Sequence, residues 1–178
     1  MSKRTLKTLG LIAGVIVILL VAEPTYLSVV IGGSLVAIGE AIRIWASGHL
    51  TRDKEVTTSR PYSFVRDPLY LGRLFILSGL CIMAWGYALL VLLVGLLVFF
   101  LDYMPRKHRK EMDRLEALFG EEYKRYANYA HSLIPRLRPY PDASNRTWQF
   151  SLFWDENREQ YLLAAVVLAV ILIVYKLN

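Results

Sequence analysis

Apolar residues fall in long blocks along this chain instead of alternating with polar ones. Five of these blocks are nearly free of charge. A helix that crosses the hydrocarbon core of a bilayer needs about 20 apolar residues, with about 17 as the lower edge, and several blocks lie at or below that edge. The pattern predicts an all-α integral membrane protein with about five transmembrane helices. The blocks are residues 9–22, 27–45, 69–85, 87–101 and 161–175.

The distribution of basic residues predicts the orientation of these helices. The links 23–26 and 85–87 carry no Lys or Arg, whereas basic residues cluster before the first block and after the second and fourth. Cytoplasmic loops carry an excess of Lys and Arg, so the N-terminus is expected in the cytoplasm and the C-terminus outside. Residues 1–7 are basic, but no small-x-small cleavage site follows the first block, which is therefore expected to be a retained helix.

Composition narrows the possible partners. The chain has 178 residues, is 55% hydrophobic and has a formal net charge of +6. Topology and contact with anionic lipid head groups account for the basic excess, so no nucleic-acid partner is expected. Cys81 is the single cysteine, which excludes an intrachain disulfide and a cysteine metal cluster, and no metal site is expected.

The expected organisation is one membrane domain, 1–178, with an additional C-terminal transmembrane helix at 158–176. Its location is expected to be a bacterial or archaeal inner membrane, or an endomembrane in a eukaryote. The sequence leaves the oligomeric state open.

Two long polar segments, 47–68 and 104–159, lie on the predicted cytoplasmic side. In the second, a helix over 106–119 is expected to end at Gly120, and a short helix over 121–130 follows. At 100° per residue the first of these helices carries an apolar stripe in which Glu111 also falls. The stripe consists of Met112, Leu115, Leu118 and Phe119. We expect such amphipathic helices to form a pocket at the cytoplasmic ends of the spans.

The stretch 59–74, SRPYSFVRDPLYLGRL, places charges at the mouth of the third block. Asp67 followed by proline predicts a helix start, with the aspartate capping free backbone amides. Arg66 has two interpretations, contact with lipid phosphates or a place in a site. Tyr70 and Arg73 share a helix face, and Gly72 allows a ligand or another helix to approach closely.

Glu40 and Arg43 lie inside the second apolar block, three residues apart and able to pair. Charges at that depth are costly and usually face the bundle interior or a wet cavity. Two interpretations stay open. The two residues form a structural ion pair that locks this helix to its neighbours, or they line a cavity.

An ordered set of segments resembles the isoprenylcysteine carboxyl methyltransferase and phospholipid methyltransferase family over 39–138. RPYSFVRDPLYLGRL precedes two apolar helices, RKHRKEMDRLEALFGEEYKRYANYAHSLIPRL follows them, and RIWASGHL in the second block also looks like the family. The matching downstream positions are Glu111, Phe119, Gly120, Glu122, Tyr123 and Tyr126. The chain departs from the family in having Asp67 where His is usual, Met112 where a second Glu is common, and Arg60 where Gly is usual.

The resemblance implies S-adenosylmethionine as methyl donor and a lipophilic acceptor that enters from the membrane. The acceptor would be a prenylcysteine-like carboxylate, a phospholipid amine or a thiol. Together with the residue types that such a donor needs, the resemblance places seven residues at the cofactor: Tyr62, Arg66, Asp67, Tyr70, Gly72, Glu111 and Tyr123. Arg106 and Glu111 are the expected catalytic residues. The residues expected at the substrate are Glu40, Arg43, Arg73 and Tyr126.

The chemistry of this function depends mainly on alignment. Good positioning of donor and acceptor can be worth roughly 7–11 kcal/mol. A carboxylate acceptor needs only an arginine to orient it, whereas an amine or thiol must lose a proton, to Glu111 or His108.

The sequence also leaves other functions open. The main alternative is a non-enzymatic membrane scaffold or assembly protein whose charges serve topology. A sterol-reductase-like enzyme would need a longer chain, and a transporter would need more helices than five.

Overall fold

The computed structural model describes Gly14 and residues 16–177, and over these residues it contains helices and no β-strand. The all-α prediction is therefore confirmed for the described part. Part of the predicted first span, residues 9–13 and 15, lies outside it. The helices are α1 (16–20), α2 (Tyr26–Ser47), α3 (Pro68–Ala84), α4 (Ala88–Val98), α5 (Met104–Tyr129) and α6 (Gln160–Tyr175). Two π-helical turns, Phe99–Tyr103 and Leu152–Glu156, complete the helical elements.

Two of these helices are long and apolar enough to cross a membrane. One is α2, and the other is the continuous helix Ala88–Tyr129, in which the first π-helical turn joins α4 to α5. Helices α3 and α6 are also apolar but have 17 and 16 residues, at or below the length that a span requires. These lengths are compatible with a membrane protein, and the number of five spans stays a prediction.

Helices α2 and α3 pack against each other through facing glycines. Gly39 lies against Gly72, and a Cβ atom added to Gly39 would lie 2.6 Å from the Gly72 carbonyl oxygen. Two turns away, a Cβ atom on Gly79 would lie 2.6 Å from the Gly32 carbonyl oxygen. The residue numbers of the paired glycines increase along α2 as they decrease along α3, so the two helices are antiparallel. Small residues allow this close approach of two backbones.

Both short links lie at one end of the helices. The Glu23 amide donates to the Ala84 carbonyl over 2.7 Å, which joins the link after α1 to the end of α3. The C-terminal end of α6 reaches the same place, because Lys176 Nζ donates to the Leu19 carbonyl over 2.7 Å. A cation at the C-terminal end of a helix is stabilising, because it interacts with the carbonyl groups that have no partner within the helix. The long polar segments therefore lie at the opposite end.

The predicted break at Gly120 is confirmed. Gly120 has φ +55° and ψ −130°, which interrupts α5 between its two halves. Three members of the predicted stripe pack with Val56 and the tyrosines of the second half of α5: Met112, Leu115 and Phe119. Leu118, the fourth member of the predicted apolar stripe, is 53% exposed and lies outside that cluster.

Backbone hydrogen bonds tie the two polar segments together. The amides of Arg66 and Asp67 donate to the carbonyls of His131 and Ser132 over 2.9 and 3.0 Å. The Tyr140 amide donates to the Ser63 carbonyl over 2.8 Å. These pairings hold the segment before α3 and the segment after α5 as one layer across the polar ends of the helices.

Candidate functional site: the polar-end cavity

A cavity of about 890 Å³ lies at the polar end of the helices. Its wall combines the C-terminal part of α2, the connection that follows it, the first turns of α3, both halves of α5, and Glu159 before α6. Ligand pockets in proteins typically measure about 300–1,000 Å³, so the volume suits a small-molecule ligand. We call it the polar-end cavity.

The structure brings most of the predicted site residues to this wall. Ten of them line the polar-end cavity: Arg43, Tyr62, Arg66, Asp67, Tyr70, Arg73, Arg106, Glu111, Tyr123 and Tyr126. They come from α2, from the connection before α3, and from α3 and α5. The roles predicted for them toward a cofactor or substrate stay predictions.

Gly72 and Glu40 do not line the cavity. A Cβ atom on Gly72 would lie 2.5 Å from Arg43 Cγ and 2.7 Å from the Gly39 carbonyl oxygen. Of the two possibilities weighed for Gly72, the structure therefore supports the approach of another helix. Glu40 is buried in α2, and its Oε1 has no hydrogen-bond partner among the described residues.

Arg43 pairs with Glu159 and not with Glu40, so of the two interpretations of Glu40 and Arg43 the ion pair between them is not formed, whereas Arg43 does line the cavity. Arg43 Nη2 lies 2.5 Å from Glu159 Oε2, and Arg43 Nη1 donates to the Leu69 carbonyl over 2.8 Å. The two side chains are 4% and 9% exposed. The guanidinium extends across the helix contact toward the segment before α6, where a carboxylate and a carbonyl both accept from it. Three elements thus meet at one buried cation.

Asp67 precedes α3 as predicted, but its side chain makes no capping hydrogen bond. Its carboxylate instead accepts a hydrogen bond from Ser132 Oγ over 2.5 Å, and Arg66 Nε lies 3.7 Å from it. Arg66 Nη1 donates to the Ala127 carbonyl over 3.1 Å. The prediction of side-chain capping by Asp67 is therefore wrong, because the carboxylate bonds the segment that follows α5 instead of the amides of α3.

Two cations, Lys107 and Arg73, lie near the ring of Tyr70. Lys107 Nζ lies 3.7 Å from the ring centroid, and the guanidinium carbon of Arg73 lies 5.7 Å from it. Both distances are within the range of cation–π attraction. The contact of Lys107 with Tyr70 joins α5 to α3, and Lys107 also lies 3.8 Å from Glu111, one turn further along α5.

Tyr62 and Tyr126 form the floor of the cavity. The Tyr126 hydroxyl donates to the Tyr62 carbonyl over 2.8 Å. The Tyr62 hydroxyl is buried and has no hydrogen-bond partner among the described residues. Burial raises the pKa of the Tyr62 phenol well above its ordinary value, and Tyr126 and Asp67 act in the same direction. The phenol therefore remains a neutral donor.

Several basic residues of the wall were missed by sequence reasoning. Arg52, Lys110 and Arg114 line the polar-end cavity together with the predicted arginines. Among the basic residues after the second and fourth blocks, the sequence predicts a site role for Arg66 and Arg106 and explains the others by membrane orientation and contact with lipid head groups. Their convergence on one cavity depends on how the two connections fold together.

The acidic residues of the cavity do not form a metal site with histidine or cysteine. Within residues 16–177 and at Gly14, no group of three or more His, Cys, Asp or Glu side chains can hold a metal ion.

No protein-family model matches the chain, and no solved structure matches it. A comparison with curated proteins does give a match. The chain is similar to the cobalt-zinc-cadmium resistance protein CzcN of Cupriavidus metallidurans. The two are 35% identical over 125 residues, which cover 69% of this chain and 55% of CzcN. The chain thus matches about half the length of that relative.

This similarity contradicts the predicted methyltransferase, and the prediction of an enzyme is wrong with it. The name of CzcN describes resistance to metal ions, and it points away from methyl transfer. Residues of the segments that suggested a methyltransferase make structural contacts in this fold. Gly72 packs on α2, Asp67 bonds Ser132, and Tyr126 bonds the backbone of Tyr62. Binding of S-adenosylmethionine and of a lipidated acceptor stay predictions.

Proposed function

We propose that this chain is a non-enzymatic membrane component of cellular resistance to divalent cobalt, zinc and cadmium. The similarity to CzcN over 69% of the chain is the observation that carries the proposal. The apolar helices α2 and Ala88–Tyr129 support a place in the membrane.

The component acts as a scaffold that assembles with other resistance proteins. Support comes from its polar end, where backbone hydrogen bonds join the segments on either side of α3 and α5 into one layer. A buried ion pair, Arg43 with Glu159, adds the segment before α6 to that layer. Such a layer gives a fixed polar surface at one end of the apolar helices.

Growth of the native strain with and without the chain tests the proposal. Deletion is expected to lower the Co²⁺, Zn²⁺ and Cd²⁺ concentrations that stop growth, and a plasmid copy is expected to restore them. High sodium chloride serves as the control stress and should affect both strains equally. Unchanged tolerance of all three metal ions after deletion would contradict a role in resistance.

A further inference from the structure

The polar-end cavity carries a surplus of positive charge. Among the described residues, eight Arg and Lys side chains and five carboxylates line this cavity. The surplus is three positive charges. The wall is concave and includes buried groups such as Arg43 and Tyr62, so it focuses the field of the exposed cations Arg52, Arg73 and Lys110 and attracts an anion into the cavity.

Three of the cations have no carboxylate within 4.0 Å in the described part of the chain: Arg52, Arg73 and Lys110. The carboxylates of the wall are engaged elsewhere. Glu159 holds Arg43, Asp53 holds Arg114 at 2.9 Å, and Glu111 lies near Lys107.

Buried polar atoms at the wall also lack acceptors. Tyr62 is 6% exposed and its hydroxyl has no partner, and Arg43 is 3% exposed and its Nε has none, within the described residues. The Nε group of arginine can only donate, and the neutral phenol can donate as well. A buried donor without an acceptor costs about 1–3 kcal/mol. An oxyanion in the cavity supplies the missing acceptors.

The chemistry of the wall favours a phosphate group over a carboxylate. A phosphate monoester or diphosphate carries more than one negative charge and three or more acceptor oxygens, which matches a surplus of three cations and the donors Tyr62 and Arg43. The same wall contains apolar and aromatic groups, among them Leu50, Leu69 and the ring of Tyr70. Those groups suit an organic body attached to the phosphate.

We propose that the polar-end cavity is a binding site for a phosphate-bearing amphiphile, with Arg52, Arg73, Lys110 and the Tyr62 hydroxyl as its donors. A lipid phosphate head group and a soluble phosphorylated compound share this chemistry. The cavity lies at the N-terminal end of α3 and beside the stretch of Ala88–Tyr129 where its apolar part gives way to charged residues, the level at which lipid head groups meet a membrane-spanning helix. This inference does not depend on a role in metal resistance.

Calorimetric titration of the detergent-purified full chain tests the site. The ligands are short-chain phosphatidic acid, phosphatidylcholine with the same chains, and inorganic pyrophosphate. Phosphatidic acid is expected to bind and phosphatidylcholine to bind much more weakly, because its phosphate carries one charge and its choline adds a cation. In Arg52→Gln/Lys110→Gln the affinity for phosphatidic acid is expected to fall about tenfold for each lost charge-assisted hydrogen bond.

The matched control is Arg60→Gln/Arg109→Gln. Arg60 lies in the same connection as Arg52, Arg109 precedes Lys110 in α5, and both are exposed and absent from the cavity wall. The net charge changes equally in the two double variants, so the control is expected to keep its affinity. Equal loss in both variants would show that net charge alone attracts the ligand and would overturn the site.

Tyr62→Phe separates ligand binding from folding. Removing a buried hydroxyl that has no partner is expected to leave the thermal unfolding midpoint unchanged or higher, while the affinity for phosphatidic acid falls several-fold. Binding of phosphatidic acid without pyrophosphate identifies a lipid head group as the source, and comparable binding of both identifies soluble phosphates. The absence of binding by either ligand would refute the proposal, as would an unchanged affinity in Tyr62→Phe.

Discussion

At the scale of single residues, the most consequential contact is the ion pair of Arg43 and Glu159. Both side chains are almost fully buried, and Arg43 also donates to the Leu69 carbonyl. Removing one partner of a buried pair leaves the other charge without compensation, which is far more costly than removing both. The pair therefore links α2, α3 and the segment before α6.

We expect Glu159→Ala to lower the free energy of unfolding by about 3–5 kcal/mol, because Arg43 then lies buried without a counter-charge. Unfolding by denaturant in mixed micelles measures the change. The control is Glu156→Ala, which removes the exposed partner of Lys54 and should cost about 0–1 kcal/mol. The double variant Arg43→Met/Glu159→Leu should recover most of the loss. Equal effects of the two single substitutions would show that the pair contributes no more than a surface contact.

Sequence spacing offered Glu40 as a possible partner of Arg43, and the structure pairs Arg43 with Glu159 instead. Glu40 lies three residues away on the same helix, the usual separation for a helical pair. The observed partner lies 116 residues away in the chain. Spacing within a helix cannot reveal such a contact, because the partner is decided by which segments meet at the end of the bundle.

At the scale of elements, the contact of α2 with α3 depends on four glycines. Gly32 and Gly39 on one helix face Gly79 and Gly72 on the other. Each lies so close to the opposite backbone that a methyl group would overlap it. The glycines therefore set the separation of the two helices, and through it the place of Arg43 beside the cavity.

Gly39→Ala should lower the free energy of unfolding by about 1–3 kcal/mol, because the new methyl group forces the helices apart. Gly33→Ala on the same helix is the matched control, since a Cβ atom there has no neighbour within 4 Å. That substitution should be neutral or stabilise the protein by up to about 1 kcal/mol through helix propensity. The same mixed-micelle denaturation measures both variants, and a Gly39 variant as stable as its control would contradict the close packing.

The sequence was informative about where α5 breaks. Glycine readily adopts positive φ, and Gly120 does so at +55° between an apolar stripe and a second short helix. Local chemistry decides such a break, so it is readable from the chain. The exposure of Leu118 cannot be read from the chain, because it depends on which side of α5 packs against Val56.

At the scale of the whole molecule, short links and long polar segments lie at opposite ends. Tyr87 is 68% exposed beside the link that precedes α4, and Arg109 is exposed in α5. About 33 Å of helix separates them at 1.5 Å per residue, which matches the hydrocarbon thickness of a bilayer.

Tyr87→Cys and Arg109→Cys are therefore expected to react with a membrane-impermeant maleimide from opposite sides of the membrane. The native Cys81 is buried and should stay unlabelled, which makes the wild-type chain the blank. Labelling of intact cells and of inverted vesicles distinguishes the two sides. Reaction of both cysteines from the same side would rule out a membrane-spanning Ala88–Tyr129 helix.

The functional prediction failed because a shared pattern of residues was taken as evidence for a shared reaction. The pattern did collect at one cavity, so its spatial grouping was predictable from positions at the ends of apolar helices. The similarity to CzcN nevertheless contradicts methyl transfer. A set of side chains that encloses a cavity also holds that end of the fold together, and the same residues can serve either purpose.

By itself, the sequence determined the helical class, the apolar segments and the break at Gly120, because these depend on local composition and backbone preference. Only the tertiary structure decided that Arg43 pairs with Glu159, that Gly72 faces a helix, and that Arg52 and Lys110 meet across one cavity. Those contacts join residues far apart in the chain. They depend on how whole helices pack, and no local pattern encodes that.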